Sequence, residues 1–282
     1  MIISVASGKG GTGKTTVATS LALAIGNSAQ LMDCDVEAPN AHLFLKPVLE
    51  PEESVFMPVP VVDEDKCTMC GLCAEICQFN AIITIADTVM TFPELCHGCG
   101  GCQAVCPAGA IGEGKRTIGI IEHGRCNDLE FVHGRLRIGE AMAPPLIRQI
   151  RSRIKPEKTA VIDAPPGTSC PVIAAVQNTD FVVLVTEPTP FGLNDLQLAV
   201  ETMKILEIPC GVIINRSDIG DDRVADYAAA ENLPVLMEIP YERGIAEAYS
   251  RGEPLVESFP QWRQRFATLY EKICQLATGR EQ

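Results

Sequence analysis

Residues 1–16 read Met1-Ile2-Ile3-Ser4-Val5-Ala6-Ser7-Gly8-Lys9-Gly10-Gly11-Thr12-Gly13-Lys14-Thr15-Thr16, and this stretch decides the fold. The first seven residues make a short apolar run of β character. The next nine contain G-x4-G-K-[ST], and residues 17–25, apolar and alanine-rich, continue as a helix. A strand before and a helix after separate a phosphate-binding loop from a chance glycine turn. The glycines have a steric reason: the loop must turn its N–H groups inward around phosphate oxygens, at a helix N-terminus that already favours anions. Gly8, Gly10, Gly11, Thr12, Gly13 and Thr16 then form the cradle. Lys14 reaches the β- and γ-phosphates, and the Thr15 hydroxyl ligands Mg²⁺.

Outward from the loop, apolar segments at 159–163, 181–186, 209–215 and 235–239 alternate with helical stretches at 193–206 and 224–231. This alternation predicts an α/β fold, a mostly parallel sheet covered by helices on both faces. Residues 117–122 and 131–138, with Gly124 and Asn127-Asp128 between them, predict a hairpin. Residues 47–60 carry Pro47, Pro51, Pro58 and Pro60 among glutamates and have linker composition. The last helix, over 259–277, puts Trp262, Phe266, Leu269, Ile273 and Leu276 on one face. Its polar face has Arg263, Arg265 and Lys272 beside Glu271 but no basic cluster, so it is expected to pack on the sheet rather than on a membrane.

A second constellation interrupts the alternation. Cys67-Thr68-Met69-Cys70-Gly71-Leu72-Cys73-Ala74-Glu75-Ile76-Cys77 and Cys96-His97-Gly98-Cys99-Gly100-Gly101-Cys102-Gln103-Ala104-Val105-Cys106-Pro107 are each C-x2-C-x2-C-x3-C. Bacterial ferredoxins hold [4Fe–4S] clusters with this spacing. Each cysteine of the second run lies 29 residues after its counterpart, Ala81-Ile82 repeats as Ala110-Ile111, and Asp65 as Glu94. One offset throughout means a duplicated unit about a pseudo-two-fold. Three close cysteines cap three corners of a cube while the fourth is directed to the other cube. The expected sets are Cys67, Cys70, Cys73 and Cys106 on one cluster, with Cys96, Cys99, Cys102 and Cys77 on the other. Structural zinc uses paired C-x2-C too, but four ligands would leave an eight-thiol run unexplained. A disulfide framework suits small secreted domains, and no secretory leader is read here. His97 is a spacer, flanked by glycines that let N–H groups approach sulfur, and Gln78 stands where Pro107 stands in the second half. Residues 60–114 are thus expected to be a small ferredoxin-like α+β domain inserted between 1–59 and 115–282.

The 282 residues carry a net charge of −13, with 46% hydrophobic residues. That balance disfavours nucleic acid and anionic membrane surfaces as partners. No apolar run approaches membrane-spanning length, and five further thiols (Cys34, Cys126, Cys170, Cys210, Cys274) suit a reducing cytoplasm.

With a second lysine, Lys9, at its start, Gly8-Lys9-Gly10-Gly11-Thr12-Gly13-Lys14-Thr15-Thr16 resembles the deviant phosphate loop of the MinD/ParA/Mrp ATPases and of dinitrogenase reductase. The resemblance implies that Lys9 crosses a dimer interface to the partner's nucleotide, as an arginine finger would. It implies that Asp33-Cys34-Asp35 is switch I, with Asp35 orienting the attacking water and Asp33 supporting the Mg²⁺ shell. Residues 159–168, ending in Asp163-Ala164-Pro165-Pro166-Gly167-Thr168, look like Walker B and switch II. Asp163 would then hold the Mg²⁺ shell and the Gly167 N–H would sense the γ-phosphate. In the resembling ATPases an Asn-Arg or Asn-Lys at the place of Asn215-Arg216 contacts adenine, although the N-x-x-D spacing to Asp218 leaves GTP open. A second C-x-x-C near the C-terminus, found in Mrp carriers, is missing. Cys170 stands at the offset of a cluster-ligating cysteine in dinitrogenase reductase, with Cys126 the conceivable companion.

The expectation is an ATP-hydrolysing iron–sulfur protein, with two [4Fe–4S] clusters and Mg²⁺. It would work as a homodimer, or a heterodimer with a paralogue, alongside a client or redox protein. Cofactor assembly, ATP-gated electron donation and a positioning switch are its three candidate roles.

Overall fold

Ile3 and Val5 are wholly buried, and the run they belong to forms the first strand of a computed structural model that describes residues 1–279. The strands are β1 (Ile2–Ala6), β2 (Ala29–Asp33), β3 (Val48–Leu49), β4 (Glu53–Val62), β5 (Ile82–Ile85), β6 (Thr88–Thr91), β7 (Ile111–Cys126), β8 (Leu129–Leu136), β9 (Thr159–Asp163), β10 (Phe181–Thr186), β11 (Cys210–Asn215) and β12 (Val235–Ile239). The helices are α1 (Lys14–Ile25), α2 (Ala41–Leu45), α3 (Leu72–Ile76), α4 (Gly101–Ala104), α5 (Ala143–Arg151), α6 (Cys170–Val176), α7 (Pro190–Ile205), α8 (Arg223–Ala230), α9 (Arg243–Ser250), α10 (Leu255–Ser258) and α11 (Pro260–Ala277). The chain divides into two compact units. One holds Met1–Glu52, Ile121–Arg135 and everything from Ile147; the other holds Glu53–Ile120 and Leu136–Leu146.

In the larger unit the strand order is β12-β11-β10-β1-β9-β2-β8-β7-β3. Pairing is parallel from β12 through to β8. Parallel strands are covered on both faces, which is why Val161, Ile162, Val182 and Val183 are apolar in succession and each 0% exposed. β1 sits between β9 and β10 while the chain continues to β2 beyond β9. Such a reversal of strand order opens a crevice at the carboxyl ends of the strands, where the glycine loop begins.

On one face α1 and α11 pack together. Val17, Ala18 and Leu21 share a cluster with Trp262, Phe266, Leu269 and Ile273. The cations of α11 are spent on backbone: Arg263 donates to the Leu23 carbonyl at 3.0 Å, Arg265 to Glu238 at 3.0 Å and Lys272 to Val235 at 2.8 Å. The last two cover carbonyls of β12, the outermost strand, and so blunt a sheet edge.

The smaller unit carries its duplication in its backbone. Met69 and Gly98, Gly71 and Gly100, and Asn80 and Gly109 are pairs at the 29-residue offset, and all have positive φ. Phe92 N–H donates to the Ala81 carbonyl and Asp63 N–H to the Ala110 carbonyl, both at 2.7 Å. Helices α3 and α4 pack on each other. β5 pairs antiparallel with β6, and β4 pairs with β7.

One expectation is corrected here. Residues 47–60 are not a linker, because they hold β3 and most of β4. Val55, Met57 and Val59 alternate inward at 7%, 3% and 7% exposure. Among the described residues β4 pairs with β7, toward which the Val59 and Val61 carbonyls face, so Pro58 and Pro60, which lack N–H donors, are tolerated on its other side. The prolines masked a period-two pattern.

Candidate functional site

Glycine loop and α1 meet at Gly13, whose φ of 96° places it in the left-handed region. A Cβ there would lie 2.6 Å from the Asn215 amide, and one on Gly8 would lie 2.3 Å from the Asp195 carbonyl. No larger residue fits either position. A cleft of about 310 Å³ opens over this loop, lined by Gly10, Gly11, Gly13, Lys14, Thr15 and Thr16 together with Asp35, Asn40, Asn215 and Arg216. Lys14 is only 7% exposed, and its ammonium pulls down the pKa of both Asp35 and Asp163.

Asp33 and Asp163 occupy the same rung of the β2–β9 ladder, and burial with mutual repulsion should raise both. They resolve the conflict differently. Asp33, expected in the Mg²⁺ shell, accepts N–H groups from Asp35 at 3.1 Å and from Asn40 and Ala41 at 3.0 Å. It organises the turn after β2, though burial still holds its carboxyl well above the usual range. Asp163 is 1% exposed, and among the described residues neither oxygen has a well-formed hydrogen bond, although the Thr15 hydroxyl stands beside it. Burial pushes it up to about 6, opposed by the neighbouring Thr15 hydroxyl and by Lys14. A buried, unpaired carboxylate calls for a cation, and the Thr15 hydroxyl beside it completes a donor set that fits Mg²⁺. Burial raises the Asp35 carboxyl too, with Lys14 opposing and Glu37 reinforcing.

The remaining site residues are held in cis. The Gly167 N–H donates to the Ser7 carbonyl at 2.9 Å. Lys9 lies 3.6 Å from Glu187, and Arg216 lies 3.0 Å from the same carboxylate. Asn215 donates to the Thr12 carbonyl at 2.8 Å, while Asp218 accepts the Tyr241 N–H at 2.6 Å. Glu187 was not foreseen: it ends an apolar strand, and only the sheet order brings it beside both the loop and the end of β11.

In the smaller unit the eight thiols fall into two groups. Cys77, Cys96, Cys99 and Cys102 line one cavity; Cys67, Cys70, Cys73 and Cys106 line another. The Ala81 and Ala110 N–H groups donate to the Cys77 and Cys106 sulfurs at 3.3 Å, and Gly98 to Cys96 at 3.4 Å. Burial works to raise the Cys77 thiol, yet the N–H groups of Phe79, Ala81, Ile82 and Asn80 outweigh it and leave its pKa lowered. Amides aimed at sulfur favour thiolate, the ligating form. Four thiols per cavity with amides directed at them suit a [4Fe–4S] cluster in each. Among the described residues, no three His, Cys, Asp or Glu side chains crowd around a single-ion position. Cys170 is exposed and Cys126 half-buried.

A strand, a glycine loop and a helix facing a buried carboxylate on the adjacent strand define a P-loop nucleotide-binding protein. Residues 3–255 match the CobQ/CobB/MinD/ParA nucleotide binding domain, and the chain belongs to that family. An uncharacterized protein of Methanocaldococcus jannaschii is 30% identical, with 91% of this chain and 92% of that protein covered. An iron-sulfur cluster carrier protein of Aquifex aeolicus is 29% identical over 92% of this chain, which spans 62% of the carrier's length. The septum site-determining protein MinD of Pyrococcus horikoshii, solved with Mg-ADP, shares the fold at a TM-score of 0.61 and 22% identity, covering 100% of this chain and 98% of that one. Among the described residues no helix is long and apolar enough to cross a membrane.

Proposed function

We propose that this chain is a Mg²⁺-dependent ATPase bearing two [4Fe–4S] clusters, which as a nucleotide-gated dimer serves the assembly or delivery of an iron–sulfur or related metal cofactor. The observation that carries the reading is the presence in one chain of a phosphate cradle facing the unpaired Asp163 and of eight thiols sorted four and four. The iron-sulfur carrier of Aquifex aeolicus, related along most of this chain, supports cofactor handling.

Lys14 and the loop N–H groups bind the β- and γ-phosphates. Thr15 and Asp163 hold Mg²⁺, which when bound neutralises charge on the phosphate oxygens. Asp35 orients the attacking water. Lys9 leaves Glu187 to serve the nucleotide of a second copy, and Gly167 exchanges the Ser7 carbonyl for the γ-phosphate. Adenine is the base we favour: Asn215-Arg216 stands at the end of β11, and one oxygen of Asp218 is already engaged by the Tyr241 N–H. Coupling to the thiols has a covalent route. Switch I leads through α2 and β3 into β4, and β7 runs unbroken through residues of both units.

ATP-gated electron donation is the second reading, favoured by two complete four-thiol sets. A positioning switch fits less well, since the apolar stripe of α11 is in the core. Following absorbance and EPR during ATP turnover with an apo-acceptor separates the first two. Delivery requires one cluster to appear on the acceptor. Full retention of both, with reduction at low potential, would overturn delivery in favour of donation.

A further inference from the structure

The two thiol cavities are related by duplication but are not equal. The one lined by Cys77, Cys96, Cys99 and Cys102 has a volume of about 200 Å³ and its counterpart about 20 Å³. Several equivalent positions differ between them: His97 and Phe79 line the large cavity, where the second register has Thr68 and Ala108, and Met69 lines the small one, where the second register has Gly98. Met69 and Gly98 share the left-handed backbone, with φ of 57° and 64°, yet only one has a side chain. A non-glycine residue is costly there and persists where the surroundings hold it. Met69 lines the small cavity, and its sulfur lies 3.8 Å from that of Cys67. Gly98 carries no side chain; Met57 from β4 packs over it, 3.0 Å from where a Cβ would lie, but does not line the cavity. Over the large cavity the rim is a stacked pair, Phe79 and His97, with ring centroids 3.6 Å apart. Phe79 is 40% exposed, so this pair can swing aside into solvent without breaking the core.

We propose that the two cluster sites have different duties: the Met69-capped site keeps its cluster, and the Cys77–Cys96–Cys99–Cys102 site behind Phe79 and His97 is the one that exchanges. This rests on the reading of the thiols as [4Fe–4S] ligands. Exchange is ligand substitution. Each Fe–S bond to Cys77, Cys96, Cys99 and Cys102 breaks as a bond to an acceptor thiolate forms, four thiolates replacing four, with no electron gained or lost. The methionine side chain lies against Cys67 and obstructs approach to that sulfur.

The test is iron loss from the anaerobically purified full chain to an excess of an iron(II) chelator, followed by visible absorbance and by chelated iron. Two phases of equal iron are expected, differing in rate by roughly tenfold, about 1.4 kcal/mol of barrier, with the half-buried Met69 guarding the slower one. Met69→Gly should accelerate only the slow phase, Met69→Leu should preserve it, and Phe79→Ala should accelerate only the fast one. Loss of all iron in a single phase would overturn the proposal, as would a slow phase indifferent to Met69→Gly. A colourless chain without iron would instead remove the iron–sulfur reading beneath it.

Discussion

Asp163 is where residue-scale chemistry is most exposed to test, because its buried carboxylate, with no well-formed hydrogen bond among the described residues, calls for a cation. In the proposed function its neighbour Lys14 carries the phosphate charge, so Lys14→Ala is expected to lower the ATP turnover number by about 10²–10³-fold, measured by phosphate release. Retained hydrolysis would contradict the assignment. Glu187 holds Lys9 and Arg216 in cis; partly exposed ion pairs of this kind are worth about 0.2–1 kcal/mol. If the chain dimerises on ATP as proposed, Glu187→Gln should lower the ATP concentration required by about 1.4- to fivefold, read by light scattering. An unchanged midpoint would mean that the pair does not restrain Lys9. The loop and the thiol runs were legible because each has a local spacing, and Asp163 through the resemblance of its strand end to a Walker B segment. Glu187 and the backbone engagement of Asp33 were not, since both depend on which strands lie side by side. Met69 was legible in principle: at the 29-residue offset it stands against a glycine.

At the scale of elements, α11 is a core helix. Phe266 is 0% exposed, so Phe266→Ala should cost about 3–5 kcal/mol in urea unfolding; a cost below about 1 kcal/mol would mean a peripheral helix. The heptad-like apolar stripe announced this packing, whereas β4 was hidden because proline density outweighed alternation. β8 supplies a pH dependence. His133 is 3% exposed, its Nε2 is 2.9 Å from Glu122, and its ring stands 5.1 Å from that of His42. Burial holds its imidazole below the ordinary value, with Glu122 pulling up and His42 and Arg135 pulling down; burial lowers His42 too. The unfolded chain thus takes up protons near the ordinary value of 6.5 that the folded chain refuses. Stability is full above that pH and is lost as pH falls through it. The unfolding midpoint should drop between about pH 7 and pH 5.5, and less steeply in His133→Gln. An identical slope in the variant would place the effect elsewhere.

For the whole molecule, the sequence pattern announces an α/β nucleotide fold interrupted by a duplicated cysteine segment, because periodicity and spacing are local. It could not give the extent of the smaller unit, which also takes in Leu136–Leu146. That return segment is fixed by a long-range pair, Arg116 with Glu140, whose side chains are 7% and 1% exposed. The central claim is that nucleotide bound at the glycine loop governs what happens at the thiols. Its most direct measurement is the rate of iron loss to chelator from the anaerobic chain with and without Mg-ATP, beside the Lys14→Ala variant. The account predicts a rate that changes with Mg-ATP in the native chain and does not change in the variant. Equal rates with and without nucleotide in the native chain would contradict it.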